Sequence, residues 1–414
     1  VEVVARLGAL LAAACLAAPA LALGEDPLRL PIGDPARKDR EARLVLDAVT
    51  DTSSGALLTP AELAARLSDA RIVLVGEGHT DIETHRVERR VLEELDRAGR
   101  RVQIGLEMYP YPEQRWLDDW TEGRLSEDAF LEGSRWYKNW GYNWLYYRDI
   151  FLLARDRHLR MFGVNAPREV VGAVRQKGFQ GLTSEEAAHI PTQIDTKSAD
   201  HLRLFKAEFA EASFHMGGSD EQWQAMLNAQ CTWDATMGWN AVAALGKDAD
   251  PKTVMVVLVG AGHVQYGLGI ARQARQWFSG RIASVIPVAV EDDKQSPVQS
   301  VQASYADFVW GIPAADPLYP DLGLATHTRP DDQRLEVLDV EKDTPAAAAG
   351  FQVGDVLLTM DGVDLANRET LARLVAGKRW GDAATLTVRR GETAVSVPVL
   401  LRRAEPKTSS AKAN

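Results

Sequence analysis

This sequence predicts an α/β fold: a parallel or mixed sheet flanked by helices, a helical subdomain over its ligand crevice, and a small β-rich module at the C-terminal end. Three observations carry that prediction. Two buried apolar runs, far apart in the chain, end in the same kind of turn. Ile72-Val73-Leu74-Val75 runs into Gly76-Glu77-Gly78-His79, and the run from Val254 to Val259 runs into Gly260-Ala261-Gly262-His263. Strand, helix and strand signals alternate around them, as in a parallel sheet with right-handed crossovers. From Leu318 to Leu401 the pattern changes to short strands separated by turns.

The elements follow in order. Residues 1–23 read as a targeting segment: Arg6 gives a positive start, Leu7 to Ala18 is apolar, and Ala20-Leu21-Ala22 has the small-x-small form of a signal-peptidase site. Export to the periplasm or cell envelope is the expectation. Ala12-Ala13-Ala14-Cys15 is a loose lipoprotein box without the usual large apolar residue three places before the cysteine, so membrane attachment is expected only if Cys15 is lipidated. Cys231 is then the only thiol of the mature chain, which forbids an internal disulfide and fits a small buried hydrophobe.

A first domain is expected over 24–316. Its start is polar and mixed, with a helix over Ala42 to Val49. Thr59-Pro60-Ala61-Glu62 opens a further helix with a threonine cap, proline at the first position and a glutamate that completes a capping box. The first Gly-x-x-His strand follows. Then comes an amphipathic helix over Ile82 to Ala98, with Val87, Val91, Leu92 and Leu95 at helical spacing. Val102 to Met108 and Leu159 to Val164 read as two more strands, the first ending at Glu107 and the second leading to Asn165 and Arg168. The stretches Leu125–Arg157 and Thr183–Leu245 are mainly helical. Ile282 to Val290 reads as the last strand of this domain, Glu291 to Ser304 as a loop, and 403–414 as a frayed tail.

Composition bounds the function. At 414 residues the chain exceeds a single comfortable core, so two domains are expected. The net charge of −11, from 47 basic and 58 acidic side chains without a basic cluster, argues against nucleic acid and anionic lipid as main partners. Eleven tryptophans, many between Trp116 and Trp144, suit a flat apolar ligand and equally well build a core.

The chemistry is expected at the carboxyl ends of the strands, where open α/β sheets bind ligands. His79 and His263 lead the candidates because each sits on a glycine turn beyond a strand, and glycine lets backbone approach a ligand closely. Glu77 and Glu107 fall at strand ends, where a buried carboxylate needs a histidine, an arginine or a cation; Arg168 is a candidate partner. His85 lies on the following helix. His215, Gln230 and Asp234 complete the set, whereas His158, His189, His201 and His327 read as ordinary polar positions.

The C-terminal segment, 318–402, resembles a PDZ domain. The order Thr344-Pro345, Ala349-Gly350, Gly354-Asp355-Val356-Leu357 and Asp361-Gly362 carries the resemblance. It implies that a peptide or protein C-terminus adds as a strand, with Leu322, Gly323, Leu324 and Ala325 in the place of the carboxylate loop. The alternative is that the chain itself fills the groove and the module only packs.

Over residues 59–290 the sequence resembles the ChaN-type haem-binding proteins of the Tiki superfamily. Gly76, Glu77, His79 and His85 match the first motif, and Glu107-Met108 the acidic strand end. Tyr142-Asn143-Trp144 with Tyr147 matches the aromatic segment, and Asn165 with Arg168 the Asn-x-x-Arg turn. His215-Met216, Met226, Ala229-Gln230, Asp234-Ala235 and Met237 follow the helical motif, and Gly260-Ala261-Gly262-His263-Val264 the last one. Trp233 departs from the pattern, standing where arginine is usual. The resemblance implies haem binding for iron acquisition, with His79, His85, Glu107, Tyr142, Arg168, His215, Gln230, Asp234 and His263 around the cofactor, and two protomers sharing stacked haems as a homodimer. His79, His215, His263 and Tyr142 all stay open as axial ligand.

The same superfamily includes metal-dependent peptidases, which leaves an enzymatic alternative. His79 and His263 with Glu77 or Glu107 would hold a divalent ion, and Glu77 would then act as general base. Haem demands a flat cavity walled by Trp and Tyr; a metal ion demands two histidines and a carboxylate close together. Haem binding rather than catalysis is the reading adopted.

Overall fold

The computed structural model describes residues 25–209, 219–246, 250–290 and 300–403. The chain divides into two compact units. Among the described residues, one comprises 25–135 and 145–316, the other 136–144 and 317–403.

The larger unit is built on an eight-stranded sheet. Its strands are β2 (Val49–Asp51), β3 (Leu57–Leu58), β4 (Ala70–Glu77), β5 (Arg101–Pro110), β6 (Arg160–Asn165), β7 (Thr253–Gly260), β8 (Arg281–Val290) and β10 (Phe308–Pro313), in the order β3-β2-β10-β8-β4-β7-β5-β6. From β10 to β6 all neighbours are parallel; β2 and β3 add antiparallel at one edge. A short pair, β1 (Glu41–Arg43) with β9 (Ser300–Gln302), stands apart.

The apolar runs are central strands for the reason their composition gives. Ile72 and Leu74 face a core that includes Met237 and Ala241 of the helix Asp220–Gly246, while Val73 and Val75 are buried without joining that core. A strand buried on both faces has no polar positions, hence the unbroken β-branched run. The helix Pro60–Arg66 carries its capping box as expected, with Thr59 and Glu62 bonded reciprocally. The helix Ile82–Arg97 starts from Asp81, whose carboxylate accepts from the Glu83 N–H.

Two expectations fail at the edges of this unit. Residues 42–49 are not a helix: Ala42 pairs with Val301 in β1, and Val49 pairs with Leu58 and Trp310 in β2. Partners some 260 residues distant decide these short strands, and tertiary pairing overrides local propensity. Nor is Ile282–Val290 the final strand. Residues 300–302 form β9, and β10 continues the parallel sheet, Phe308 paired with Val285.

The smaller unit holds a six-stranded antiparallel sheet. β11 (Leu324–Thr328), β12 (Leu335–Val340), β13 (Val356–Met360), β15 (Ala383–Arg390) and β16 (Thr393–Leu400) lie in that order, and β14 (Val363–Asp364) pairs with β13. Val337, Leu357, Leu386, Val388 and Val397, with Leu371 of the helix Arg368–Ala376, form its core. The segment Trp136–Trp144 belongs here too: Asn143 Nδ2 donates to the Ala376 carbonyl at 3.1 Å, at the end of that helix. The aromatic run therefore splits, with Tyr142 in this unit and Tyr146 and Tyr147 in the larger one.

Candidate functional site

Sheet register brings the two glycine turns together. β4 and β7 are parallel neighbours, and Glu77 is paired with Gly260. Both Gly-x-x-His turns therefore leave the sheet side by side. β5 lies on the other side of β7 and carries Glu107 to the same edge.

His79 is fixed first. Its Nδ1 lies 2.6 Å from Glu77 Oε1, and the same oxygen accepts the Tyr147 hydroxyl at 2.8 Å. The Glu77 side chain is wholly buried, while His79 keeps 18% of its side chain exposed. Burial works against the Glu77 charge, but the imidazoles of His85 and His79 hold its carboxyl down to about 2. Burial likewise opposes a charge on His79, and Glu77 overcomes it, raising the imidazole above its ordinary value. An imidazole whose Nδ1 is bound to a carboxylate has its tautomer and ring orientation set, and presents Nε2 as the ligating atom. That edge of the ring lies over Gly260, where a β-carbon would stand 3.0 Å from His79 Cε1, 3.2 Å from Nε2 and 3.6 Å from Glu107 Oε2. A side chain at that position would press on the imidazole.

His263 is held the same way by a different route. Its Nδ1 is 2.6 Å from Asp234 Oδ1, with the Gln230 amide 2.9 Å from the same nitrogen. Asp234 and Gln230 project from the helix Asp220–Gly246 and are buried. On the other edge Nε2 lies 3.5 Å from Glu107 Oε1. Burial disfavours the imidazolium, but Glu107 and Asp234 outweigh it and push His263 up to about 10. Glu107 stays ionised despite burial because His263, His79 and the Gly260 N–H, which donates to Oε2 at 2.8 Å, all stabilise its charge. These histidines and this amide do what the sequence offered to Arg168, which lies exposed in the first turn of the helix Arg168–Lys177. Asn165 Nδ2 donates to the Glu107 carbonyl at 2.9 Å.

The structure thus assembles Glu77, His79, His85, Glu107, Gln230, Asp234 and His263. Tyr142 belongs to the other unit, half-buried against Trp140 at 5.3 Å between ring centroids. His215 lies outside the described residues, as do Cys15 and the leader. Trp233 meets His263 edge-on at 6.3 Å. His201 is not an ordinary polar position: it is buried, with Nε2 3.8 Å from Asp234 Oδ2 and Nδ1 3.7 Å from Cys231 Sγ.

Sequence reasoning missed Tyr147 and Glu88 as site residues. Glu88 Oε2 lies 2.8 Å from His85 Nδ1, and both side chains are closed off from solvent. A signal was available: Glu88 occupies the stripe formed by Thr84, Val91, Leu92 and Leu95, where only a partnered carboxyl is tolerated.

In the smaller unit, Leu322 is buried and Gly323 adopts φ +75°, with its N–H held by Asp321 Oδ1 at 2.7 Å. Leu324 and Ala325 open β11, which ends the sheet on that side among the described residues.

These features define an α/β protein with carboxylate-anchored histidines at parallel strand ends, joined to a β-rich binding module. A family model described as "Haem-binding uptake, Tiki superfamily, ChaN" matches residues 63–273, just over half of the chain, and a PDZ domain model matches 320–401. The chain belongs to this ChaN-like haem-binding family of the Tiki superfamily. No curated protein matches it. Among solved structures, ChaN of Campylobacter jejuni with cofacial haem aligns over 63% of this chain and 95% of its own, at 17% identity and a TM-score of 0.47. The HtrA-type protease AlgW with a decapeptide aligns over 22% of this chain and 30% of its own, at 23% identity and a TM-score of 0.20. A serine endoprotease from Yersinia pestis aligns over 21% and 30%, at 22% identity and a TM-score of 0.19. This chain therefore spans less than a third of either protease.

Proposed function

We propose that this is an exported haem-binding protein of the cell envelope, serving haem or iron acquisition, whose PDZ domain selects a peptide or protein partner. The observation that carries the reading is the Glu77-His79 pair, 2.6 Å apart, within a chain of the ChaN-like family. The donor set suits haem: an imidazole fixed through Nδ1 and partly exposed is a ligand for iron, and haem when bound supplies an iron atom that accepts such a ligand. His79 is better suited than His263, whose Nδ1 and Nε2 both face carboxylates and which therefore keeps its proton. In the PDZ domain, the open edge of β11 supports strand addition, and a peptide carboxylate reaching the Gly323 N–H would displace Asp321.

A second reading has its own observation. His263 Nε2 lies 3.5 Å from Glu107 Oε1, and Glu107 Oε2 and the His79 ring both border Gly260, so donors of the kind a metal-dependent hydrolase uses stand at neighbouring strand ends. Glu77, fully buried behind Nδ1, would then orient His79. Titration of purified protein with haemin separates the two. A saturable shift of the Soret band, weakened about tenfold or more in His79→Ala, supports haem binding. A wild-type spectrum no different from free haemin overturns it, and zinc- or manganese-dependent peptide hydrolysis then carries the second reading.

A further inference from the structure

Beneath His79 lies a second group of ligand-type atoms that the haem reading does not use. Glu77, His85 and Glu88 each place one donor atom within 4.8 Å of the others, and all three residues are buried. His85 Nδ1 is 2.8 Å from Glu88 Oε2 and 3.4 Å from Glu77 Oε2. The rings of Tyr147 and Tyr146 close one side, with centroids 4.4 and 5.8 Å from that of His85.

The decisive feature is an unmet electrostatic demand. Glu77 Oε2 and Glu88 Oε1 are shut off from solvent, and no N–H or hydroxyl group of a neighbouring residue donates to either; the two carboxyl groups have only each other as hydrogen-bond partners there. A buried carboxylate oxygen without a partner is costly, and two such groups beside each other are costlier. Without a cation the conflict is settled by a proton: burial and the neighbouring Glu77 charge push Glu88 well above the usual carboxyl range. A proton relieves the repulsion but uses none of the geometry. Two carboxylates and one imidazole carry a formal charge of −2 with a neutral nitrogen ligand, which a divalent ion balances.

We propose that Glu77, His85 and Glu88 form a binding site for a divalent first-row cation, Mn2+ or Zn2+, distinct from the strand-end group of His79, Glu107 and His263. Two carboxylates with one imidazole form a donor set of intermediate hardness, which suits these ions. Entry of the ion releases the proton of Glu88 to solvent. Glu77 joins the two sites, one oxygen facing His79 and Tyr147 and the other facing His85. The ion would therefore sit as a fixed positive charge behind the histidine proposed to ligate haem. Nothing in this proposal depends on haem being bound.

The test uses the whole protein, stripped with chelator and dialysed against MnCl2 or ZnCl2 alone, with metal counted by mass spectrometry. One ion per chain is expected in the wild type and in His263→Ala, and at least a tenfold weaker affinity in Glu88→Gln. Gln is the apt substitution because it keeps the shape of a protonated Glu88 and removes only the capacity to ionise. If the site only ever shares a proton, Glu88→Gln binds metal as the wild type does, and the proposal is overturned. An ion lost in His263→Ala but kept in Glu88→Gln belongs to the strand-end group and overturns it equally. Should Glu88→Gln misfold by circular dichroism, His85→Gln replaces it with the same expected loss. The haemin spectrum is read separately, so failure of either idea leaves the other measurable.

Discussion

Gly260→Ala is a sharp probe of whether the histidine site is built as described. The backbone of Gly260, at φ −50° and ψ 138°, suits alanine, so the substitution carries no conformational strain. By itself it would stabilise the chain by about 0.4–1 kcal/mol through the unfolded state. Against this, the new methyl lies 3.0 Å from His79 Cε1 and 3.2 Å from Nε2. The ring cannot slide away easily, because Nδ1 is held 2.6 Å from a fully buried Glu77. Overpacking of this kind costs about 1–3 kcal/mol. A net loss of roughly 1–2 kcal/mol follows, or about 2–4 °C in Tm for a unit of this size. Haemin affinity should fall about tenfold as Nε2 is displaced, since 1.4 kcal/mol in binding is a factor of ten. Gly262→Ala, two residues on, is the control: its β-carbon meets nothing within 4 Å. Urea denaturation and Soret titration of both variants decide the matter. Equal behaviour of Gly260→Ala and Gly262→Ala would refute the placement of His79 over the glycine.

Three further outcomes are expected. Tyr147→Phe removes a 2.8 Å hydrogen bond to an ionised, buried carboxylate and should cost about 1.5–3 kcal/mol in chemical denaturation while leaving the circular dichroism spectrum intact. His263 is raised from 6.5 to about 10 in the folded chain, so its contribution is complete below pH 6.5 and disappears as pH rises through 10. Across that window stability should fall by up to about 1.4 kcal/mol per pH unit, and Asp234→Asn should flatten the fall; an unchanged pH profile would count against the Asp234 contact. In the PDZ domain, Arg390 makes a bidentate pair with Asp355, both bonds 2.7 Å. Arg390→Ala leaves that buried carboxylate short of its main partner and should cost about 2 kcal/mol, less than a fully enclosed pair because the arginine is 32% exposed.

The sequence made legible those features that local chemistry dictates. Unbroken β-branched runs declared the central strands, and the glycines after them declared the turns that carry His79 and His263. The capping box at Thr59 was equally plain. What stayed hidden depends on partners distant in the chain. β1 and β2 are three residues each and exist only because β9, β10 and β3 pair with them. Glu107 was expected to need a histidine, an arginine or a cation, with Arg168 a candidate; the register of β5 against β7 gives it His263 and the Gly260 amide. Tyr142 and Tyr147 are five residues apart in one aromatic run, and nothing local foretold that they enter different units. His201 read as an ordinary polar position because its neighbours, Asp234, Cys231 and Arg272, come from two later helices.

The two turns show how one geometric requirement is met twice by different means. Each histidine must have Nδ1 tied to a carboxylate if Nε2 is to point at a shared ligand. In the first turn the carboxylate is internal: Glu77 stands two residues before His79 and bonds it directly. In the second turn the corresponding residue is Ala261, so the strand supplies no acid of its own. The helix Asp220–Gly246 supplies it, lowering Asp234 to 2.6 Å from His263 Nδ1. That substitution in space explains why a helix belongs over this edge of the sheet, and why its residues 230 and 234, one helical turn apart, both reach the same nitrogen. It also explains an asymmetry in charge. Glu77 divides its pull among His79, His85 and Tyr147, whereas His263 lies between two carboxylates and is the more strongly held cation.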